Sequence, residues 1–340
     1  MDLMQELRER AAARPMRVAF PEGENEVMMR AVEKATAEGV ARCVLVGDAA
    51  RLRELAEERD VSLEGVEIAD ITDAENNARL AQRYLALPVC KFKEKGVMRR
   101  LGRPMEHACI LEALGDVDLM FAGIDCPTGD VISCGQTIVG LADGIDTVSS
   151  IGIFDIPGWE GSSGGLLGFG DSAVCVDPDP GQLASIAISA CETWAALTGT
   201  EARCALLSYS TDGSAGETPL VTKVREALAI AHERRPDLKI DGEFQLDAAL
   251  RPDIAAKKVR RPSEVAGKAN LIIWPDINVG NIGVKLVQTF GHANAYGPML
   301  QGFRKIVCDC SRSAPVDEIV GNVIMSCVRA QALEEAGSGE

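Results

Sequence analysis

Apolar runs of strand length alternate with amphipathic stretches of helical period in the first part of the chain. The runs Arg17–Phe20 and Arg42–Val46 predict strands, and a helical pattern follows each of them, at Asn25–Glu38 and Ala49–Glu58. An amphipathic helix at Leu3–Ala13 precedes the first strand. Strands and helices that alternate at this spacing predict βαβ units around a parallel sheet.

The pattern changes at Thr147. Before this residue, the alternation predicts a strand at Val66–Ile71, a helix at Ala74–Tyr84 and a strand at Asp118–Ala122. After it, two longer strand-like runs, SSIGIFDI and LLGFGDSAVCV, flank a Gly/Ser-rich stretch at Gly158–Gly165 and are typical of antiparallel or edge strands. We therefore predict that a second domain begins at residue 147.

Regular alternation of helices and strands resumes after this stretch and continues to the end of the chain. The predicted helices are Pro180–Leu197, Pro219–Glu233, Gln245–Ala256 and Asn281–Phe290, and the predicted strands are Cys204–Ser208, Lys239–Asp241 and Leu271–Trp274. A last strand and a Pro-started helix lie within KIVCDCSRSAPVDEI, Lys305–Ile319. The predicted fold class is α/β.

Composition and charge narrow the class of protein. The 340 residues carry 35 Lys and Arg against 51 Asp and Glu, a net charge of −16 at pH 7, which argues against nucleic acid or an anionic membrane as the main partner. No apolar run approaches the ~18 residues of a membrane span, and the first residues lack the apolar core of a secretory signal. Eleven cysteines without a CxxC spacing predict neither a zinc site nor a disulfide frame, and fit a reducing cytoplasm.

Three strand ends in the second half share one design, a loop rich in hydroxyls, amides and glycine. The loops are Ser208–Ser214, Pro275–Asn281 and the tip at Ser311-Arg312, and the last two lead into helices. Such loops and helix N-termini present backbone N–H groups to anions, and in one parallel sheet their carboxyl ends share an edge. The plainer interpretation is that Ser, Asn and Gly form turns and caps.

The tip at Ser311-Arg312 has the residues to hold a phosphate and to deprotonate a group beside it. A hydroxyl stands next to a guanidinium, and the carboxylates of Asp317 and Glu318 follow one to two helical turns later. Ser311 could instead cap the following helix, and Arg312 could be an interdomain salt-bridge partner. Cys310 is a further candidate nucleophile, with a buried strand cysteine as the alternative.

Five segments resemble the phosphate acetyltransferase (phosphotransacetylase) and phosphate butyryltransferase family over nearly the whole chain. They are VAFPEGEN (18–25), LLSYST (206–211), RPDLKIDGEFQLDAAL (235–250), VAGKANLIIWPDINVGNIG (265–283) and AYGPMLQGFRKIVCDCSRSAPVDEIV (295–320). The resemblance implies two α/β domains with mostly parallel sheets and an interdomain cleft. It implies a chain that returns near its end to the first domain, 1–146 plus 298–340, with 147–297 as the second domain.

The resemblance also implies an activity and an assembly. The expected reaction is acetyl-CoA + phosphate = CoA + acetyl phosphate in a homodimer, with coenzyme A as a substrate and no permanently bound cofactor or metal. Residue by residue, the hydroxyl near the CoA thiol falls on Ser311 and the phosphate-holding arginine on Arg312. The catalytic carboxylate falls on Glu318 in an ungapped alignment, with Asp317 beside it as the alternative base.

Two family arginines are absent from the first domain. The family segment SGAVHSTADTLRP aligns on Ala122–Cys134, where Ser133 takes the place of arginine. The ELRKHKG-like segment aligns on Cys90–Gly96, in which the basic residues are all lysines. Lys91 or Lys93 could stand in as a point charge without the bidentate fork. The arginines just downstream could also compensate, namely Arg99, Arg100 and Arg103.

The polar loops and the family resemblance together give a predicted set of substrate contacts. Two alternative functions remain open. The expected contacts are Ser208, Tyr209, Ser210, Thr211, Asn278, Gly280, Asn281, Thr128, Ser133 and Lys93. A propionyl or butyryl transferase would keep Ser311 and Arg312 but change the wall near Ser133 and Cys134. A non-catalytic regulatory or assembly homologue would account for both missing arginines.

Overall fold

The structure, a computed structural model, describes residues 2–337 and divides into two compact units. Unit 1 holds the residues up to Gly140 together with those from Phe303 onwards, and unit 2 is Leu141–Gly302. The sequence places the two breaks after residues 146 and 297, five or six residues from the breaks between these units. Among the described residues, no helix is both long enough and apolar enough to cross a membrane.

Thirteen α-helices, one π-helix and eleven strands make up the described part of the chain. The helices are α1 (Leu3–Ala13), α2 (Glu26–Ala37), α3 (Ala49–Glu58), α4 (Ala74–Leu85), α5 (Glu94–Leu101), α6 (Pro104–Leu114), α7 (Thr128–Cys134), the π-helix (Gly135–Val139), α8 (Pro180–Thr198), α9 (Pro219–Arg234), α10 (Leu246–Leu250), α11 (Pro252–Lys258), α12 (Ile277–Gly291) and α13 (Val316–Gly337). The strands are β1 (Met16–Phe20), β2 (Ala41–Gly47), β3 (Glu67–Asp70), β4 (Leu119–Ala122), β5 (Ser149–Asp155), β6 (Ser162–Gly170), β7 (Arg203–Leu207), β8 (Lys239–Phe244), β9 (Leu271–Ile273), β10 (Asn294–Gln301) and β11 (Ile306–Asp309).

Unit 1 is built on a parallel sheet in the order β11-β4-β1-β2-β3. Its central strands are nearly continuous apolar runs because helices cover both faces of such a sheet, and Phe20 and Phe121 pack against each other in the core. Asp309 on β11 pairs with Ala122 on β4, so these strands end side by side. The segments that follow β1, β4 and β11 therefore meet at one edge of the sheet.

Unit 2 has a mixed sheet in the order β10-β5-β6-β9-β7-β8. The four strands from β6 to β8 in this order are parallel, whereas β5 pairs antiparallel with both β6 and β10. Phe169 packs edge-on against Phe154 and stacks on Trp274 in the core of this unit. The two predicted strands after Thr147 are antiparallel, as expected, although β5 lies inside the sheet and not at its edge.

Three sequence predictions about this unit are wrong in detail, and one strand was not predicted. Strand β6 begins at Ser162, within the stretch predicted as a separator. The run DSAVCV is a loop because the Asp171 carboxylate accepts the backbone N–H groups of the residues that follow it, from Ala173 to Cys175. The helix predicted at Gln245–Ala256 breaks into α10 and α11 at Pro252, and β10 was not predicted because its sequence, NAYGPMLQ, lacks an apolar pattern.

The prediction that three polar loops share one sheet edge is also wrong. The loops after β7 and β9 do so, because these strands are parallel neighbours in unit 2. The tip after β11 belongs to the other sheet, since the C-terminal segment pairs with β4 in unit 1. The sequence pattern alone does not reveal which strands pair across such a distance along the chain.

Candidate active site

The tip after β11 is an exposed turn that carries Ser311 and Arg312 between the buried strand and α13. Ser311 Oγ lies 3.0 Å from Ser313 Oγ and accepts the backbone N–H of Ser313 at 3.3 Å. The hydroxyl therefore closes a local turn and does not cap α13, which begins at Val316. Within residues 2–337, the Arg312 guanidinium has no carboxylate partner, so its fork of donors is open to solvent.

The two acids on the first turn of α13 have different surroundings. The Asp317 carboxylate is 2.5 Å from the Lys34 ammonium, and this hydrogen bond lowers the pKa of Asp317. Glu318 is close enough to Cys310 to raise the pKa of that thiol. Asp317 is thus engaged by Lys34 of α2, whereas the exposed Glu318 has no ion-pair partner within residues 2–337.

Cys310 is poorly suited to be a nucleophile. Its side chain is buried, and burial followed by the charges of Asp309 and Glu22 raises the pKa of the thiol far above its ordinary value. The thiolate is the reactive form, so such a shift suppresses reactivity at neutral pH. The interpretation as a buried strand cysteine fits these surroundings.

A half-buried carboxylate immediately precedes the tip. Asp309, the last residue of β11, accepts the Thr128 hydroxyl on Oδ2 at 2.5 Å, while Oδ1 is buried and has no hydrogen-bond partner in the described residues. Burial raises the pKa of Asp309 to about 6, the Thr128 hydrogen bond opposes the rise and the charge of Glu22 adds to it. Thr128 thus links the start of α7 to the end of β11.

Glu22 fixes the loop between β4 and α7. Its carboxylate accepts four consecutive backbone N–H groups, those of Gly123 to Cys126, at 2.7 to 3.1 Å. Gly123 has φ +108°, and a Cβ there would collide with Asp309 and the Cys310 backbone, so only glycine fits. The ends of β1, β4 and β11 are therefore held together by Glu22, Gly123 and Asp309, none of which was among the predicted site residues.

The loop after β7 uses most of its hydroxyls internally. The Ser210 hydroxyl donates to the buried Glu243 carboxylate at 2.8 Å, and Thr211 Oγ1 donates to Gln245 Oε1 and accepts the Gln245 N–H. Ser208 and Tyr209 are more accessible, and the Tyr209 hydroxyl lies 2.8 Å from Thr218 Oγ1. Ser210 and Thr211 are therefore structural in this unit.

The loop after β9 leads into α12 through a capped helix start. Asp276 accepts the N–H groups of Asn278 and Val279, and Asn281 donates to the Ser172 carbonyl at 3.3 Å. A Cβ at Gly280 would lie 2.3 Å from the Asp171 carbonyl oxygen, so glycine permits the close approach of these two segments. The Asn278 side chain is exposed at the first turn of the helix.

A cavity of about 580 Å³ opens in unit 1 beside the ends of β1 and β4. Ser133 lies on its wall, and Arg100 and Arg103 line it together with Glu22. Lys93 is exposed at the start of α5 and is not part of this wall, and Lys91 donates to the Pro88 carbonyl at 2.8 Å. Within residues 2–337 there is no cluster of three His, Cys, Asp or Glu side chains that could hold a metal ion.

Comparison with known proteins identifies the family. The model of the family described as Phosphate acetyl/butaryl transferase matches residues 2–327. The chain belongs to this family. A phosphate acetyltransferase of Clostridium acetobutylicum is 39% identical over 337 residues, 97% of this chain and 99% of that protein.

Two solved structures have the same fold as this phosphate acyltransferase family member. A phosphotransacetylase from Streptococcus pyogenes superposes with a TM-score of 0.87 at 31% identity and covers 98% of both chains. The EutD phosphotransacetylase from Staphylococcus aureus has a TM-score of 0.86 at 29% identity, over 97% of this chain and 98% of that one. The predicted family and the predicted α/β fold with two mostly parallel sheets are thereby confirmed.

Glu22 and Asp309 were not predicted as site residues, although they share a feature that is recognisable in the sequence. Glu22 follows β1 in the motif Pro21-Glu22-Gly23, and Asp309 ends the apolar run of β11. An acid at the carboxyl end of a buried parallel strand is a candidate for the edge where ligands bind. That feature was visible in the sequence, but its backbone partners were not.

Proposed function

We propose that the protein catalyses the reversible transfer of an acetyl group between coenzyme A and phosphate. The observation that carries the proposal is the open Ser311-Arg312 tip, exposed at the carboxyl end of a parallel strand in a chain that matches the family from residue 2 to 327. A hydroxyl and an unpaired guanidinium side by side suit an acyl phosphate and an incoming thiol. Coenzyme A enters as a substrate, and the proposal includes no permanently bound cofactor or metal.

The proposed chemistry is direct attack in a ternary complex. Glu318 accepts the proton of the CoA thiol, Ser311 orients the sulfur, and the thiolate attacks the acetyl carbonyl carbon. A carbon–sulfur bond forms as the carbon–oxygen bond to phosphate breaks, and Arg312 stabilises the charge on the departing phosphate. Because the Asp317 carboxylate is held by Lys34, we assign the base to Glu318.

The other residues predicted to contact substrate have different roles in this proposal. Thr128 positions Asp309 at the end of β11, next to the tip, and Ser133 lines the cavity of unit 1. In unit 2, we assign substrate contact to Ser208, Tyr209, Asn278 and Asn281, whose polar side chains are at least partly accessible. Gly280 is buried and its N–H donates to the Asp276 carbonyl, so it shapes the loop and receives no contact. Ser210 and Thr211 shape their loop, and Lys93 receives no role.

The acyl specificity is tested with wild-type protein and three thioesters. Acyl phosphate formation is measured from acetyl-, propionyl- and butyryl-CoA with inorganic phosphate, and we expect the largest kcat/KM for acetyl-CoA. A propionyl or butyryl transferase is the second candidate, because the cavity of about 580 Å³ beside Ser133 exceeds the needs of an acetyl group. Absence of turnover with all three thioesters overturns both proposals and favours a non-catalytic role.

We further propose a homodimer that uses the outer face of α12. Val279, Ile282, Leu286 and Phe290 recur at helical spacing and are exposed, Phe290 by 77%. Replacing Ile282 and Phe290 by Glu should give a monomer in size-exclusion chromatography with light scattering. The same change at Leu333, an exposed leucine on α13, is the matched control. A wild-type monomer, or a dimer that survives the double substitution, contradicts this surface.

The proposed compartment is a reducing cytoplasm. Eleven cysteines are present and all are free, and four of them are partly accessible, namely Cys90, Cys126, Cys134 and Cys175. A chain with accessible free thiols is suited to a reducing environment. Small molecules are the proposed partners: coenzyme A, acyl phosphate and phosphate.

A further inference from the structure

The cavity of unit 1 has the setting of a substrate pocket. It lies beside Glu22 and Cys126, at the carboxyl ends of β1 and β4, and β11 with its Ser311-Arg312 tip is the neighbour of β4 in the sheet. Its wall combines the apolar side chains of Met105 and Ile138 with charged groups. The cavity is thus on the same sheet edge as the tip, one strand away.

Several charged groups on this wall already have hydrogen-bond partners within the protein. The Glu22 carboxylate accepts four backbone N–H groups, and the Arg103 guanidinium donates to Glu106 Oε1 at 3.0 Å. Asp130 lies in the first turn of α7 and is exposed. Arg100 differs from Arg103, the other arginine of the wall, because within residues 2–337 it has no carboxylate partner.

The Arg100 guanidinium is held in place by contacts that do not involve a carboxylate. Its guanidinium carbon lies 3.6 Å from the centroid of the Phe92 ring, and Nη1 donates to the Gly96 carbonyl at 3.1 Å. Stacking on a ring fixes the plane of the guanidinium and leaves its remaining N–H donors free. This is the preorganised fork that binds a phosphate in bidentate fashion.

Phe92 belongs to the segment Cys90–Gly96, in which the arginine expected from the family resemblance is absent. Arg100, one helix turn beyond Gly96, reaches back over this segment and lines the cavity that also contains Ser133, the second position without arginine. Arg99, its neighbour on α5, is exposed and not part of the wall. The structure thus separates these adjacent arginines.

We propose that Arg100 binds the phosphoryl group of the acyl phosphate, or inorganic phosphate in the reverse reaction, within this cavity. The inference rests on the proposed function and adds to it a specificity-determining residue in unit 1. The acyl group would then lie toward the apolar part of the wall at Met105 and Ile138. Arg103, which is tied to Glu106, has a smaller part in holding the anion.

The test compares Arg100→Ala with Arg99→Ala as the matched control. In the direction that consumes phosphate, we expect the KM for phosphate to rise about 10–100-fold in Arg100→Ala, since one charge-assisted contact is lost. The KM for acetyl-CoA should stay within about twofold, and Arg100→Lys, which keeps the charge without the fork, should recover part of the loss. Equal phosphate KM values in Arg100→Ala and Arg99→Ala would overturn the inference.

A binding measurement separates this inference from the proposed function. Inorganic phosphate is titrated calorimetrically into wild-type, Arg100→Ala, Arg100→Lys and Arg99→Ala proteins, with thermal unfolding as the check on folding. Binding that is weakened by Arg100→Ala and kept by Arg99→Ala supports the inference even if no thioester is turned over. Binding that is insensitive to Arg100, measured in folded Arg100→Ala or Arg100→Lys protein, overturns it even if the wild type is an active transferase.

Discussion

The loop after β7 in unit 2 and the tip after β11 in unit 1 have similar residues but use them in opposite ways. In the β7 loop, Ser210 and Thr211 are buried and bonded to Glu243 and Gln245. At the tip, Ser311 is exposed and bonded only within its own turn in the described residues. A hydroxyl-rich loop after a strand thus indicates a ligand site only when its polar groups are free of internal partners.

The largest effect is expected from removing the guanidinium at the tip. Arg312→Ala should lower kcat for acetyl transfer by about 100–1,000-fold, the range seen when one donor to a developing anion is lost. The melting temperature should stay close to that of the wild type, because Arg312 has no carboxylate partner in residues 2–337. Thioester consumption and thermal unfolding measure the two quantities. Turnover within a few-fold of wild type would contradict the assigned role.

The two acids of α13 should differ in their contribution to catalysis. Glu318→Gln should lower kcat by about 100-fold, the usual contribution of a general base. Asp317→Asn should stay within about threefold of wild type, because that carboxylate is paired with Lys34 away from the chemistry. Initial rates at saturating acetyl-CoA and phosphate measure both. The opposite ranking of the two variants would assign the base to Asp317.

Replacing a hydroxyl by alanine should affect catalysis at the tip and stability in the β7 loop. Ser311→Ala should lower kcat by about 10-fold with little change in stability, as expected for a group that orients a substrate. Ser210→Ala should lower the free energy of unfolding by about 1–3 kcal/mol, because buried Glu243 loses a donor, with kcat nearly unchanged. Urea unfolding and initial rates distinguish the two. A stability loss confined to Ser311→Ala would contradict the structural role of Ser210 and the catalytic role of Ser311.

Two buried glutamates, one in each unit, should contribute to stability with opposite pH dependence. Burial alone would raise the pKa of Glu243, but the Arg225 guanidinium, the Gly213 N–H and the Ser210 hydroxyl together lower it to about 2. Its stabilising contribution is therefore present above its unfolded pKa of about 4.3 and is lost as the pH falls through about 2. For Glu112 on α6, burial raises the pKa to about 8, with Lys305 opposing the rise. Its contribution is present below about pH 4.3 and is lost as the pH rises through about 8.

Glutamine substitutions test these signs. Glu243→Gln should destabilise the protein by about 1–3 kcal/mol at pH 7 and by less at pH 3. Glu112→Gln should be nearly neutral at pH 5 and stabilising at pH 9, because it removes the cost of a buried charge. Melting temperatures across this pH range are the measurement. Parallel pH profiles for Glu112→Gln and wild type would show that Glu112 keeps an ordinary pKa.

The smallest effect is expected at Cys310. Because burial and neighbouring acids raise the pKa of its thiol, Cys310→Ala should change kcat by no more than about twofold. Loss of turnover, together with a trapped acetyl-enzyme, would favour a ping-pong course through an acyl-cysteine.

Much of the fold was predictable because most strands and helices have a local pattern of apolar and polar residues that identifies them. The helix α3 was predicted at Ala49–Glu58, where the structure has it, and α2 begins after its predicted cap, Asn25. Strand β10 and the break between α10 and α11 were not predicted. The first is stabilised by pairing with β5, which is distant in sequence, and the second depends on a proline within an otherwise helical pattern.

The candidate site was predictable where chemistry resides in adjacent residues and not where it depends on burial. Ser311 and Arg312 stand side by side in the sequence, so a joint role could be predicted from residue type and spacing. Whether Ser210 is free or Arg100 faces a cavity depends on partners distant along the chain, such as Glu243 and Ser133. Residue type and spacing do not contain that information.

The most direct test of the account measures acetyl phosphate formation from acetyl-CoA and phosphate by two double variants. Ser311→Ala with Arg312→Ala removes the open tip, and Ser210→Ala with Thr211→Ala removes the internally bonded hydroxyls of the β7 loop. At a temperature where both variants are folded, we predict that the first has lost at least about 99% of wild-type kcat and the second retains most of it. Retained turnover in the tip variant, with loss in the β7-loop variant, would contradict the assignment of the acyl-transfer centre to the tip.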